Sequence, residues 1–118
     1  MYVPQSVFLT KGVGKSKEQL TSFEMALRNA SMAPFNLVSV SSIYPAGCKL
    51  ISKERGLKKL ASGQIVHAVY SKNSTCEPGR MITASIGLAI PKDVNAYGYL
   101  SEHHGFGENA EKLSLIHI

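Results

Sequence analysis

Phe35-Asn36-Leu37-Val38-Ser39-Val40-Ser41-Ser42-Ile43-Tyr44-Pro45 is the stretch around which the rest of the chain can be arranged. Its apolar and β-branched residues, interleaved with small polar ones, predict a strand from Phe35 to Ile43. Pro45 has no N–H to offer a ladder, so Tyr44 to Gly47 predict a turn. At that stop stand two adjacent serines, Ser41 and Ser42. A serine pair at a strand end usually satisfies the backbone of the turn with its hydroxyls.

Upstream, Ser6 to Thr10 predict a first strand, which Gly12 and Gly14 break. Ser16 followed by Gln19 has the spacing of a capping box. Leu20, Phe23, Leu27 and Ala30 then recur at helical spacing, so a helix is predicted from there to about Asn29–Ser31, ahead of Pro34. Downstream, Cys48 to Gly63 predict a short strand, a basic segment and a short helix. Ile65 to Tyr70 predict another strand, and Lys72 to Gly79 a polar loop closed by Pro78-Gly79. Met81 to Ile90, nearly continuously apolar, predict a strand buried on both faces. Tyr97 to Glu102 predict a last strand, and Glu108 to Lys112 the first turn of a helix. This order predicts an α/β (α+β) sandwich, a largely antiparallel sheet core covered by helices.

The chain has 118 residues, 44% of them hydrophobic, which suits one domain with one core. Its net charge is +5, with Lys49, Lys53, Arg55, Lys58 and Lys59 in one segment. That cluster has no interleaved aromatics for base stacking, so a nucleic-acid module is a distant alternative. No charged-then-apolar leader or membrane-length apolar run is present, and a cytoplasmic protein is expected. Cys48 and Cys76 form no CxxC pair and are expected to be reduced thiols. The closing Leu113-Ser114-Leu115-Ile116-His117-Ile118 reads as translated sequencing-adaptor DNA. The expectation is therefore a single domain over residues 1–112, its C-terminal part missing, with 113–118 a non-native tail.

Four groups of residues invite a chemical reading. Gly12-Val13-Gly14-Lys15-Ser16 has the context of a phosphate loop, but Leu9 stands where the first glycine of that pattern belongs. Glu102-His103-His104 could be metal ligands, yet neighbours on a strand point to opposite faces, and no metal is expected. Glu24 follows Phe23 beside the apolar helix face; its carboxylate is either a solvated surface charge or suited to a guanidinium, with which it can make two parallel bonds. Glu102 closes the last strand after Tyr97-Gly98-Tyr99-Leu100-Ser101. An apolar, aromatic setting would keep such a carboxyl protonated, as a general acid requires.

Taken in order, Phe23-Glu24-Met25-Ala26-Leu27-Arg28-Asn29-Ala30, Asn36-Leu37-Val38, Val40-Ser41-Ser42-Ile43-Tyr44-Pro45, Ala89-Ile90-Pro91-Lys92-Asp93 and Gly98-Tyr99-Leu100-Ser101-Glu102 resemble the pyruvoyl-dependent arginine decarboxylases. The resemblance runs from about Val7 to Lys112. It implies a proenzyme that cuts itself between Ser41 and Ser42, into residues 1–41 and 42 onward. The Ser42 hydroxyl attacks the Ser41 carbonyl and turns the amide into an ester; elimination releases Ser41 as a new C-terminus. Hydrolysis of the remaining dehydroalanine, with loss of ammonia, makes Ser42 a pyruvoyl group. That covalent group would serve in place of pyridoxal phosphate, and no metal would be needed. By the same resemblance Asn36 assists processing, Glu102 is the proton donor and Glu24 binds the substrate's guanidinium. Many family members carry aspartate at the position of Glu24, so lysine, ornithine or another basic amino acid stands beside arginine as substrate. The resemblance also implies a homotrimer, or a hexamer of cleaved protomers, producing agmatine for polyamine synthesis or acid resistance. The alternative from another class is a non-catalytic oligomeric scaffold or ligand-binding domain, in which Ser41-Ser42 is an ordinary turn.

Overall fold

The computed structural model describes residues 2–76 and 82–106. In chain order the elements are β1 (Ser6–Val7), α1 (Gln19–Asn29), β2 (Asn36–Ser39), β3 (Ile43–Tyr44), β4 (Lys49–Leu50), α2 (Lys53–Lys58), β5 (Ile65–Ala68), β6 (Ile82–Ala89) and β7 (Gly98–Phe106). β1 pairs with β4 in parallel, β2 pairs with β5, and β3, β7 and β6 form an antiparallel sheet in that order. The chain is thus a mixed α/β protein with short helices and small sheets, the largest of them antiparallel. It divides into two compact units, Met1–Val38 with Cys48–His67 and Ser39–Gly47 with Ala68–Ile118.

In the first unit, α1 starts two residues later than a cap at Ser16 predicts. Glu18 is its N-cap and makes no side-chain cap bond, while the Ser16 hydroxyl, two residues ahead of that cap, accepts from the Glu18 N–H (3.3 Å). The helix ends where expected. Ser31 takes a left-handed φ of 68°, its N–H donates to the Arg28 carbonyl (3.0 Å), and the Met32 N–H donates to the Leu27 carbonyl (2.8 Å). That is a Schellman stop built on a serine where glycine is commoner. The segment before α1 lies directly along it. The Thr10 hydroxyl donates to the Ala30 carbonyl (2.8 Å), and the Val13 N–H donates to the Asn29 side-chain oxygen (3.0 Å). A Cβ on Gly12 would strike the Ala26 carbonyl, and one on Gly14 the Ser22 carbonyl. Close approach to a helix side, not a phosphate cradle, is what this glycine pair provides. In α2, Gly56 is buried because the Phe8 ring lies where its Cβ would be, and the Ser52 hydroxyl caps the helix by accepting from the Arg55 N–H (3.3 Å). Ala30, Met32 and Cys48 are the buried apolar side chains of this unit among the described residues.

In the second unit, β6 faces β7 along its whole length, from Ile82 opposite Phe106 to Ala89 opposite Tyr99. β3 adds to the other edge of β7, Ile43 opposite Tyr99 and Tyr44 opposite Gly98. Tyr44 and Leu100 are buried. β6 is not covered on both faces as its apolar run predicts: Gly87 is buried, Ala84 and Ala89 are exposed, and the other residues are half-buried. The predicted helical turn at Glu108 to Lys112, and the tail after it, lie outside the described residues.

Candidate active site

The strand predicted over Phe35 to Ile43 is in fact two strands, and the break falls at the serine pair. On the upstream side, the Val40 N–H donates to the Ala68 carbonyl (3.0 Å), and Ser39 is hydrogen-bonded to the Tyr70 side chain. Burial of Tyr70 pushes its phenol above the ordinary value, and the Ser39 bond opposes this. On the downstream side, the Ser42 carbonyl accepts from the Leu100 N–H (2.9 Å), which carries the β3–β7 register one step further. Ser41 is the single residue between these two anchors. It is exposed and Ser42 is half-buried, so the peptide bond joining them lies where the chain leaves one ladder for another.

The same register places the candidate acid. Ser42 lies opposite Leu100, and Glu102 is two residues further along β7, on the same face as Leu100 by strand alternation. Glu102 stands opposite Ile86. Its face is buried at Leu100 and opens to solvent at Glu102 and His104. Glu102 therefore sits at the border between an apolar stretch and water, more exposed within this chain than the aromatic residues before it predict.

Those aromatics turn the other way. Tyr99 lies on the opposite face of β7, its ring edge-on to Tyr97 with centroids 5.6 Å apart. The hydrogen bond with Tyr97 raises the Tyr99 phenol above its ordinary value. Both rings line an open depression of about 440 Å³ with Leu88, Ile90 and Pro91.

Glu24 and Asn36 belong to the first unit and each has its own partner there. Glu24 is exposed on α1, and its Oε1 accepts from Arg28 Nη2 (3.0 Å), one helical turn on. Asn36 Nδ2 donates to the Gly63 carbonyl (2.7 Å), while its backbone N–H donates to the Gln64 carbonyl (2.9 Å). That leaves the second side-chain N–H of Asn36 for another acceptor. Two features escaped the reading of motifs: the Leu100 N–H, because backbone donors carry no sequence signal, and Arg28, although its spacing of four from Glu24 was legible.

A model of the family described as pyruvoyl-dependent arginine decarboxylase (PvlArgDC) matches residues 6–116. The chain belongs to that family. It is 57% identical over 110 residues to a protein named probable pyruvoyl-dependent arginine decarboxylase from Chloroherpeton thalassium, covering 93% of this chain and 60% of the relative. Proteins named pyruvoyl-dependent arginine decarboxylase from Thermoplasma volcanium and Methanococcoides burtonii are 53% and 55% identical, each match covering 96% of this chain and 66% and 63% of those relatives. The chain thus spans about three fifths of the length of the first of these curated relatives. Among the described residues, no helix is long and apolar enough to cross a membrane.

Proposed function

We propose that this chain carries the self-cleavage site and the proton donor of a pyruvoyl-dependent decarboxylase that converts L-arginine to agmatine and carbon dioxide. The observation that carries the proposal is Ser41, bridging two anchored strand ends, with the Ser42 carbonyl held by the Leu100 N–H two residues from Glu102. A residue that is to become a covalent pyruvoyl group must keep its downstream peptide fixed while the upstream bond is broken. Ser42 fits that demand: its own carbonyl is tied to β7, and its bond to Ser41 lies in the gap between ladders. Once formed from Ser42, the group supplies an electron sink for the pair left by departing carbon dioxide, the service pyridoxal phosphate gives elsewhere.

The other roles fall to side chains of this chain. The Ser42 hydroxyl is the nucleophile of processing, the Ser41 carbonyl its target and the free N–H of Asn36 the donor that polarises it. Glu102 hands a proton to the carbon that lost its carboxylate, and is recharged from the solvent it faces. Glu24 binds the distal guanidinium. The whole protein is proposed to be a cytoplasmic, helix-covered sandwich assembled as a trimer or hexamer, working without pyridoxal phosphate or a metal.

Intact mass of the purified full-length gene product tests the proposal. Two pieces, the second beginning with a pyruvoyl group at position 42, are expected. The exposed settings of Glu24 and Glu102 also suit a non-catalytic oligomeric scaffold, and a single uncut chain from the well-folded full-length protein would decide for it.

A further inference from the structure

We infer that Arg28 is a built-in competitor for the Glu24 carboxylate, weakening the hold on the guanidinium of substrate and product alike; the inference rests on the proposed role of Glu24. The two residues are four apart on α1 and therefore neighbours on one helix face. Arg28 Nη2 reaches Glu24 Oε1 at 3.0 Å, with side chains 70% and 60% exposed. The structure thus already holds a guanidinium on the carboxylate assigned to bind one, and the guanidinium is the chain's own. The contact uses one N–H and one carboxylate oxygen. An incoming alkylguanidinium presenting two parallel N–H groups makes a stronger, forked pair and can displace it.

The charge change of the reaction gives this competition a purpose. Arginine carries an ammonium, a guanidinium and a carboxylate, a net charge of about +1 at neutral pH; losing carbon dioxide and gaining a proton at carbon leaves agmatine near +2. The guanidinium itself is untouched, so a lone carboxylate would hold the product at least as tightly as the substrate. A cation one turn away offsets that hold and takes back the carboxylate as agmatine leaves. Arg28 is here a positioning residue acting through Glu24, not a group that touches the reacting atoms.

The experiment uses the self-processed full-length protein and agmatine as the probe. Its Kd is read by calorimetry, which needs no turnover, alongside KM and kcat for arginine. Arg28→Gln is expected to tighten agmatine and lower KM by roughly twofold, the size of an exposed i,i+4 ion pair, with the change falling on KM and not kcat. Arg28→Glu, which adds an anion beside Glu24, is expected to tighten agmatine further. In a Glu24→Gln background the Arg28→Gln gain should vanish. If Glu24→Gln weakens agmatine but Arg28→Gln weakens it too, Arg28 orients Glu24 instead of competing, and the inference falls while the role of Glu24 stands. If Glu24→Gln leaves agmatine binding unchanged, the role of Glu24 fails and the inference with it. Loss of fold is an unlooked-for outcome at two exposed helix positions, and circular dichroism checks it.

Discussion

Ser42 and Glu102 are asked for different things, and single substitutions separate them. Processing needs an oxygen nucleophile on residue 42, because only a hydroxyl can turn the Ser41–Ser42 amide into an ester. Ser42→Ala removes that oxygen and nothing else; Ser42 is half-buried at a strand edge, so the smaller side chain leaves little void. The expected product is a folded, uncut, inactive chain, seen as one mass. Any cleaved chain from this variant would discard Ser42 as nucleophile. Glu102→Gln keeps the shape and the place opposite Ile86 but has no proton to give. Processing is expected to proceed, and turnover of the processed protein to fall by roughly 10²–10⁴-fold. Near-normal turnover would take the acid role away from Glu102.

Among the elements, α1 shows how local spacing misleads when packing decides. Gly12-Val13-Gly14-Lys15-Ser16 sits between a strand and a helix, as a phosphate loop would, yet both glycines are needed because backbone runs against α1 at Ala26 and Ser22. Gly12→Ala would push that segment off the helix at a rigid carbonyl. A loss of about 1–3 kcal/mol is expected, the range for overpacking, measured by denaturant unfolding of the full-length protein. An unchanged midpoint would mean the segment does not lie where described. The existence of α1 was legible from helical spacing of apolar residues, and that of β5, β6 and β7 from apolar and aromatic runs bounded by turn residues. The split of the strand at Ser41 was not: no glycine or proline marks a break between Val40 and Ser42, and only the change of partner from Ala68 to Leu100 ends one ladder and starts the next. Nor was the emergence of β7 into solvent at Glu102, since Tyr97 and Tyr99 signal burial and belong to the other face. Of the candidate site, Ser42 and Glu102 were legible as residue types in an ordered set of motifs. Their link through Leu100 is a backbone register, which no side chain announces.

Across the whole molecule, cutting between Ser41 and Ser42 removes one covalent bond, while hydrogen bonds from both described upstream strands cross the cut. Each described strand upstream of the cut pairs with a strand downstream of it: β1 with β4, and β2 with β5. The Lys49 N–H donates to the Gln5 carbonyl (3.0 Å) and the Ile51 N–H to the Val7 carbonyl (2.8 Å). Asn36, Val40 and Pro34 are tied in the same way to Gln64, Ala68 and Gly63. At roughly 1 kcal/mol net for each such bond, with apolar contact added, the upstream piece stays bound by several kcal/mol. Because the two pieces are held by ladders and not by the peptide, processing should leave the fold in place. The processed full-length protein is therefore expected to elute from native size exclusion as one species containing both pieces in equal amounts. The two should separate only after denaturant dissolves the ladders. A piece of residues 1–41 eluting alone under native conditions would show that the β1–β4 and β2–β5 pairings do not hold the cleaved chain together.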